Sequence, residues 1–144
     1  MFPPYRCYAH GVEIRGEARL LIISGLNGYL ADGETMPDSF EEQAETIWKH
    51  IGTVLRSADM DYGNIVSLRT YLADPKYDEA NVQMRVKYLG DHQTALTVVC
   101  SQLLDPKWKL EMEANGRKVR STKKGSNFYD RENLARNDEY RKGE

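Results

Sequence analysis

The chain has few of the residues that define disulfide-rich or metal-binding proteins. Only two of its 144 residues are cysteines, Cys7 and Cys100, and a chain of this length builds a core without a disulfide, so we interpret both as reduced thiols. The three histidines, at positions 10, 50 and 92, are scattered along the chain and form no cluster in the sequence. We therefore predict no metal site and no cofactor.

Long hydrophobic runs and an excess of one charge are also absent. A membrane-spanning helix needs about 20 apolar residues, and the first ten residues, MFPPYRCYAH, lack the apolar core of a signal peptide. We expect a cytoplasmic protein with no membrane partner. The formal net charge of −2 provides no field that attracts phosphate backbones, so a nucleic-acid partner is not expected.

The amino-acid composition predicts one globular domain followed by a charged segment. Hydrophobic residues make up 40% and charged residues 29% of the chain, a balance that supports a core. After Gly116 the composition shifts to charges with few apolar residues. We predict a folded domain at residues 1–116 and a C-terminal tail at residues 117–144.

Helical periodicity indicates two helices. Ser39 and Glu42 have the spacing of a capping box, which marks the start of the first helix. A helical apolar stripe follows it, formed by Phe40, Ala44, Ile47, Ile51, Val54 and Ala58. A second, weaker stripe is formed by Tyr77, Ala80, Met84, Tyr88 and Leu89. Both apolar stripes need a sheet to pack against.

Four further segments favour strands. Residues 12–23 read as a hairpin around Gly16, and residues 65–72, 94–101 and 108–114 each read as a strand. In the last strand Glu111 and Glu113 face away from the apolar residues, because side chains alternate along a strand. The sum is an α+β fold, a single mixed sheet with two helices on one face.

The order of these elements and four short strings resemble the RidA/YjgF family of enamine and imine deaminases. The strings are Tyr8-Ala9-His10-Gly11-Val12, Ile22-Ile23-Ser24-Gly25, the stretch from Tyr77 to Asn81, and Leu110-Glu111-Met112-Glu113-Ala114. The resemblance covers about Tyr8 to Ala114. It implies a chorismate-mutase-like fold, a homotrimer, and small-molecule sites between neighbouring subunits.

The resemblance also implies roles for particular residues. The family glutamate that positions the attacking water matches Glu111, and three substrate-orienting residues of the family match Tyr8, Ser24 and Asn81. The family arginine that clamps a substrate carboxylate does not carry over. A gapless count back from Glu111 places Leu96 at its position.

Loss of the guanidinium changes the expected substrate. Arginine holds a carboxylate with two charge-assisted hydrogen bonds, and an isobutyl group supplies none. Leu96 is instead expected to enlarge the apolar part of the pocket, and Arg69 is the leading candidate for a relocated anion clamp. A small anionic imino acid is therefore not the expected best substrate.

Three functions remain open from the sequence. The first is hydrolysis of an imine or enamine, or a related water- or proton-transfer step, on a substrate bulkier or less anionic than 2-aminoacrylate. The second is a non-catalytic ligand-binding or regulatory trimer. The third is an RNA-directed ribonuclease or translation inhibitor, which the acidic charge balance disfavours.

Overall fold

The computed structural model describes Ala9 and residues 12–120, which contain four strands and two helices. In chain order these are β1 (Ala18–Leu26), α1 (Phe40–Ser57), β2 (Ile65–Leu72), α2 (Asp78–Leu89), β3 (Ala95–Cys100) and β4 (Leu110–Val119). Short 3₁₀ turns at Tyr62–Asn64 and Pro75–Tyr77 lead into β2 and α2.

The strands form a single mixed sheet in the order β1-β4-β2-β3. β4 lies antiparallel to both β1 and β2, whereas β2 and β3 are parallel and are joined through α2. This arrangement confirms the predicted α+β fold, with two helices and one mixed sheet. Across the described residues, neither helix is both long and apolar enough to span a membrane.

The hydrophobic core lies between the helices and one face of the sheet. Its most completely buried side chains are Ile47, Trp48, Ile51 and Leu55 from α1, and Ile65, Leu68, Leu72, Leu110 and Met112 from the strands. The other face of the sheet carries Glu111 and Glu113 in β4, as their alternation with buried Leu110 and Met112 predicts. We call this second face the open face.

The start of α1 is fixed by side-chain hydrogen bonds. The Ser39 hydroxyl accepts from the backbone N–H of Glu42 at 3.1 Å, which confirms the predicted N-cap. One turn further on, the buried Gln43 amide donates to the carbonyls of Pro37 and Lys107 and accepts from the N–H of Lys109. Gln43 therefore holds the loop before β4 against α1.

The predicted hairpin at residues 12–23 is wrong. Residues 12–17 form no strand, and β1 pairs only with β4 in the described part of the chain. The backbone N–H of Ala9 instead donates to the carbonyl of Thr94 at 2.9 Å, and Ala9 bridges to Ala95 in β3. The chain before β1 therefore contacts β3, at the opposite edge of the sheet, through Ala9.

Two strand details also differ from the sequence reading. Strict alternation along residues 65–72 predicts that Val66 shares the buried face of Leu68, Thr70 and Leu72. In β2 the pairing register shifts between Ile65 and Ser67, so Ile65 is buried while Val66 is only partly covered. β4 continues to Val119 rather than ending at Ala114, because Arg117, Lys118 and Val119 pair with the start of β1. The strand thus runs three residues into the segment predicted to be the tail.

Candidate functional site

A cleft of about 250 Å³ opens on the open face where β1, β2 and β4 meet the loop after β3. Backbone pairing sets its polar wall, because Glu111 lies opposite Tyr71 and Glu113 lies opposite Arg69 in the β2–β4 ladder. The lining residues are Gly25, Tyr71, Ser101, Gln102, Leu103, Leu104, Glu111 and Glu113. The cleft therefore combines two carboxylates with hydroxyl, amide and aliphatic groups.

Glu113 binds two neighbours on β2 through one oxygen. The Arg69 guanidinium donates to Glu113 Oε1 at 2.7 Å, and the Tyr71 hydroxyl donates to the same atom at 3.2 Å. Contact with the Tyr71 hydroxyl and the negative charge of Glu113 raise the pKa of Arg69 above its ordinary value. Arg69 thus stays cationic while its charge is compensated by Glu113.

Glu111 lies over Gly25 of the neighbouring strand. A β-carbon at position 25 would overlap Oε1 of Glu111, so the glycine leaves the space that the carboxylate occupies. Within the described residues, the carboxylate of Glu111 makes no hydrogen bond or ion pair. Its carboxylate is therefore available to a ligand or a water molecule in the cleft.

The structure brings some of the residues predicted for the site together. Glu111 lines the cleft, and Ser24 is exposed in β1 next to Gly25, a lining residue. Arg69 lies on the same face but is held by Glu113 and does not line the cleft. Tyr8 lies outside the described residues.

The structure does not bring Leu96 or Asn81 to this cleft. Leu96 lies beside Leu68 in the parallel β2–β3 ladder, and both side chains pack with the core on the helix-covered face. Asn81 is 2% exposed in α2, and its amide nitrogen has no hydrogen-bond partner among the described residues. A gapless count along the sequence gives Leu96 a position but not a face of the sheet.

Several residues that line the cleft were not predicted from the sequence. Tyr71 and Glu113 had a usable signal, since their period-two alternation places them on the same face as Arg69 and Glu111. Gly25 and the loop residues Ser101 to Leu104 had none, because their contribution depends on how β1 and the loop approach β4. No group of three or more potential metal ligands occurs within the described ranges.

The fold and the cleft define a class of α+β proteins with a polar cleft on the open face of a mixed sheet. The family model described as endoribonuclease L-PSP matches residues 2–117 of the chain. The chain therefore belongs to the endoribonuclease L-PSP family, which is the RidA/YjgF, or Rid, family. This finding confirms the family resemblance seen in the sequence.

Individual relatives agree with this assignment. The chain is 32% identical over 79 residues to a RutC family protein of Aquifex aeolicus, an alignment that covers 54% of the chain and 61% of that relative. The conserved Rid-family protein YyfB of Yersinia pestis is 27% identical with a TM-score of 0.67, over 77% of this chain and 86% of that one.

The likeness of fold extends to more distant structures. RidA from an Antarctic Psychrobacter species is 19% identical, with a TM-score of 0.64 over 78% of this chain and 95% of that one. Yeast Mmf1 is 22% identical with the same TM-score, over 78% of this chain and 94% of that one. At this identity the comparison shows the shared fold alone.

Proposed function

We propose that the chain hydrolyses a small reactive imine or enamine in the cleft beside Glu111. The observation that carries the proposal is the Glu111 carboxylate, which faces the cleft over Gly25 without a partner among the described residues. A carboxylate in that position accepts a hydrogen bond from water and takes its proton as the water attacks. Membership of the Rid family supports the same assignment of Glu111.

The reaction proceeds in two steps. In the first, the water oxygen bonds to the imine carbon, the π electrons of the C=N bond move to nitrogen, and Glu111 passes the water proton towards that nitrogen. In the second, Glu111 takes the hydroxyl proton of the resulting carbinolamine and passes it to nitrogen, so a C=O bond forms as the C–N bond breaks and ammonia leaves. An enamine enters the same route after protonation at its β-carbon.

A homotrimer with intersubunit sites is part of this proposal. The open face also exposes apolar side chains, among them Leu20 at 61%, Ile22 at 79% and Val99 at 41%. A cyclic assembly would cover these side chains against neighbouring copies. The family resemblance implies that Tyr8 walls the substrate site.

The test of the proposed function is release of ammonia from enzymatically generated imines. We expect the protein to accelerate hydrolysis and Glu111→Gln to remove at least about 90% of the acceleration, a loss typical of a missing general base. Glu34→Gln, an exposed change in the loop between Leu30 and Thr35, is the matched control. Acceleration that survives Glu111→Gln would contradict the role of Glu111.

A non-catalytic, ligand-binding trimer is the second candidate. One observation favours it: the only guanidinium beside the cleft in the described part of the chain, that of Arg69, is held by Glu113. Saturable binding of imines or amines without ammonia release would support this function.

An RNA-directed activity is disfavoured because two carboxylates line the cleft and would repel phosphate.

A further inference from the structure

Glu113 stands between Arg69 and the cleft. Its carboxylate binds the guanidinium at 2.7 Å and also accepts the hydroxyl of Tyr71, so one residue occupies both donors that β2 presents at this position. Glu113 lies two residues from Glu111 on the same face of β4, a separation of about 7 Å along a strand. A ligand contacting Glu111 is therefore within reach of the field of Glu113.

The arrangement leaves the cleft with an uncompensated negative charge. Two carboxylates line it, and the guanidinium of Arg69, which lies outside the lining, balances one of them. Among the described residues that line the cleft, none is a lysine, an arginine or a histidine. A substrate carboxylate entering the cleft would meet like charge without a cationic partner, whereas a neutral or protonated imine would not.

Another part of the cleft lining is aliphatic. Leu103 and Leu104 line it from the loop after β3, and Leu104 is 93% exposed. Burying so exposed a leucine side chain against an apolar substituent of a ligand is energetically favourable, because it removes apolar surface from water. The lining of the cleft thus combines negative charge on β4 with aliphatic surface from the loop after β3.

We propose that Glu113 is a specificity-determining residue that selects imines without a carboxylate group. It does so by holding Arg69 in an ion pair and by adding its own charge to that of Glu111. The preferred substrate is a neutral or protonated imine whose apolar substituent contacts Leu103 and Leu104. This proposal rests on the proposed imine hydrolysis and specifies its substrate class.

The test uses two imines that differ only in the carboxylate. L-amino-acid oxidase acting on leucine supplies 2-imino-4-methylpentanoate, and a flavin amine oxidase acting on 3-methylbutylamine supplies 3-methylbutan-1-imine. Ammonia release is measured with and without the protein, and the acceleration is compared between the two. We expect the acceleration by the wild-type protein to be about tenfold greater for the carboxylate-free imine than for the imino acid.

Variants then assign the preference to Glu113. Glu113→Gln should free the Arg69 guanidinium and reduce the preference to about threefold or less, chiefly by raising the rate on the imino acid. Adding Arg69→Gln to this variant should remove the gain on the imino acid. Asp59→Asn is the matched control, because it removes a carboxylate from a surface ion pair with Lys118 and should leave the preference unchanged.

The outcomes separate this proposal from the proposed function. A wild-type protein that favours the imino acid, or treats both imines equally, overturns the selection of carboxylate-free imines while imine hydrolysis stands. An unchanged preference in folded Glu113→Gln overturns the role of Glu113. If the protein accelerates neither imine, imine hydrolysis fails and the specificity proposal fails with it. The wild-type ratio alone can overturn the selection of carboxylate-free imines, even if Glu113→Gln does not fold.

Discussion

At the scale of single residues, the site depends on which face of a strand each side chain occupies. Glu111 could be placed from the sequence, because alternation with Leu110 and Met112 already puts it on the uncovered face. Leu96 could not, because its face is set by the register of β3 against β2, a non-local pairing that no count along the chain supplies.

Gly25 offers a direct test of the geometry around Glu111. Because a β-carbon at position 25 would overlap a flexible carboxylate end and not the backbone, Gly25→Ala should displace Glu111 without unfolding the chain. We expect imine hydrolysis to fall between about tenfold and a hundredfold, as misplaced catalytic groups do. Steady-state rates and a thermal melt measure the two effects.

Gly63→Ala is the control for this change, since a β-carbon at position 63 would meet no atom within 4 Å. This variant should keep both activity and melting temperature. Full activity in Gly25→Ala would show that Glu111 does not need the space above the glycine.

At the scale of elements, local signals predicted α1 and the alternation of β4, while non-local pairings escaped prediction. The start of α1 follows from Ser39 and an apolar stripe, both of which act within a few residues. The prediction before β1 was wrong: residues 12–17 form no strand, and Ala9, upstream of them, pairs with Ala95, which lies far along the chain. Local turn propensity around Gly16 carries no information about such a partner.

The contact between the two helices should make stability depend on pH. Glu45 of α1 accepts from the Lys87 ammonium at 2.7 Å and from the Tyr88 hydroxyl, both on α2. Hydrogen bonding to Lys87, then to Tyr88, holds the pKa of Glu45 below its ordinary value of 4.5. Burial, followed by the bond to Glu45, raises the pKa of Tyr88, so the hydroxyl remains a donor.

Because the pKa of Glu45 is lower in the folded chain, its contribution is complete above pH 4.5 and is lost as the pH falls through the folded value. Glu45→Gln should therefore destabilise the protein by about 1 kcal/mol or less near pH 7, the range for partly exposed pairs. The difference from wild type should shrink towards about pH 3. Urea unfolding at both pH values measures it, and an equal difference at both would contradict the linkage.

At the scale of the whole molecule, the open face is the surface that the fold leaves uncovered. β1 and β3 place Leu20, Ile22 and Val99 on this face. The sequence could indicate such a face through its alternating pattern, but it could not reveal the cleft, which exists only when β4 lies between β1 and β2. Because the exposed apolar side chains and the cleft share the open face, we expect the trimer and the cleft to depend on each other.

Ile22→Lys tests that dependence. A lysine at a side chain that is 79% exposed should leave the monomer folded but disfavour burial of the open face in a trimer. Light scattering should give about three times 16.5 kDa for the wild type and a lower mass for the variant. Val86→Lys, on exposed α2 surface, is the control and should keep the wild-type mass. A trimeric Ile22→Lys protein would contradict this use of the open face.

The last prediction concerns where the folded domain ends. The composition change places the boundary after Gly116, but Arg117, Lys118 and Val119 pair with Leu20, Arg19 and Ala18, and the N–H of Arg120 donates to the carbonyl of Glu17. Truncation after Arg120 should therefore leave the core folded, because residues 121–144 contain few apolar side chains for burial. Truncation after Gly116 removes the strand partners of three β1 residues and should lower the melting temperature by several degrees.

Circular dichroism melts of the two truncated proteins and the full chain compare them directly. If truncation after Arg120 abolishes folding, residues 121–144 belong to the folded unit, and if truncation after Gly116 costs nothing, the end of β4 contributes no stability.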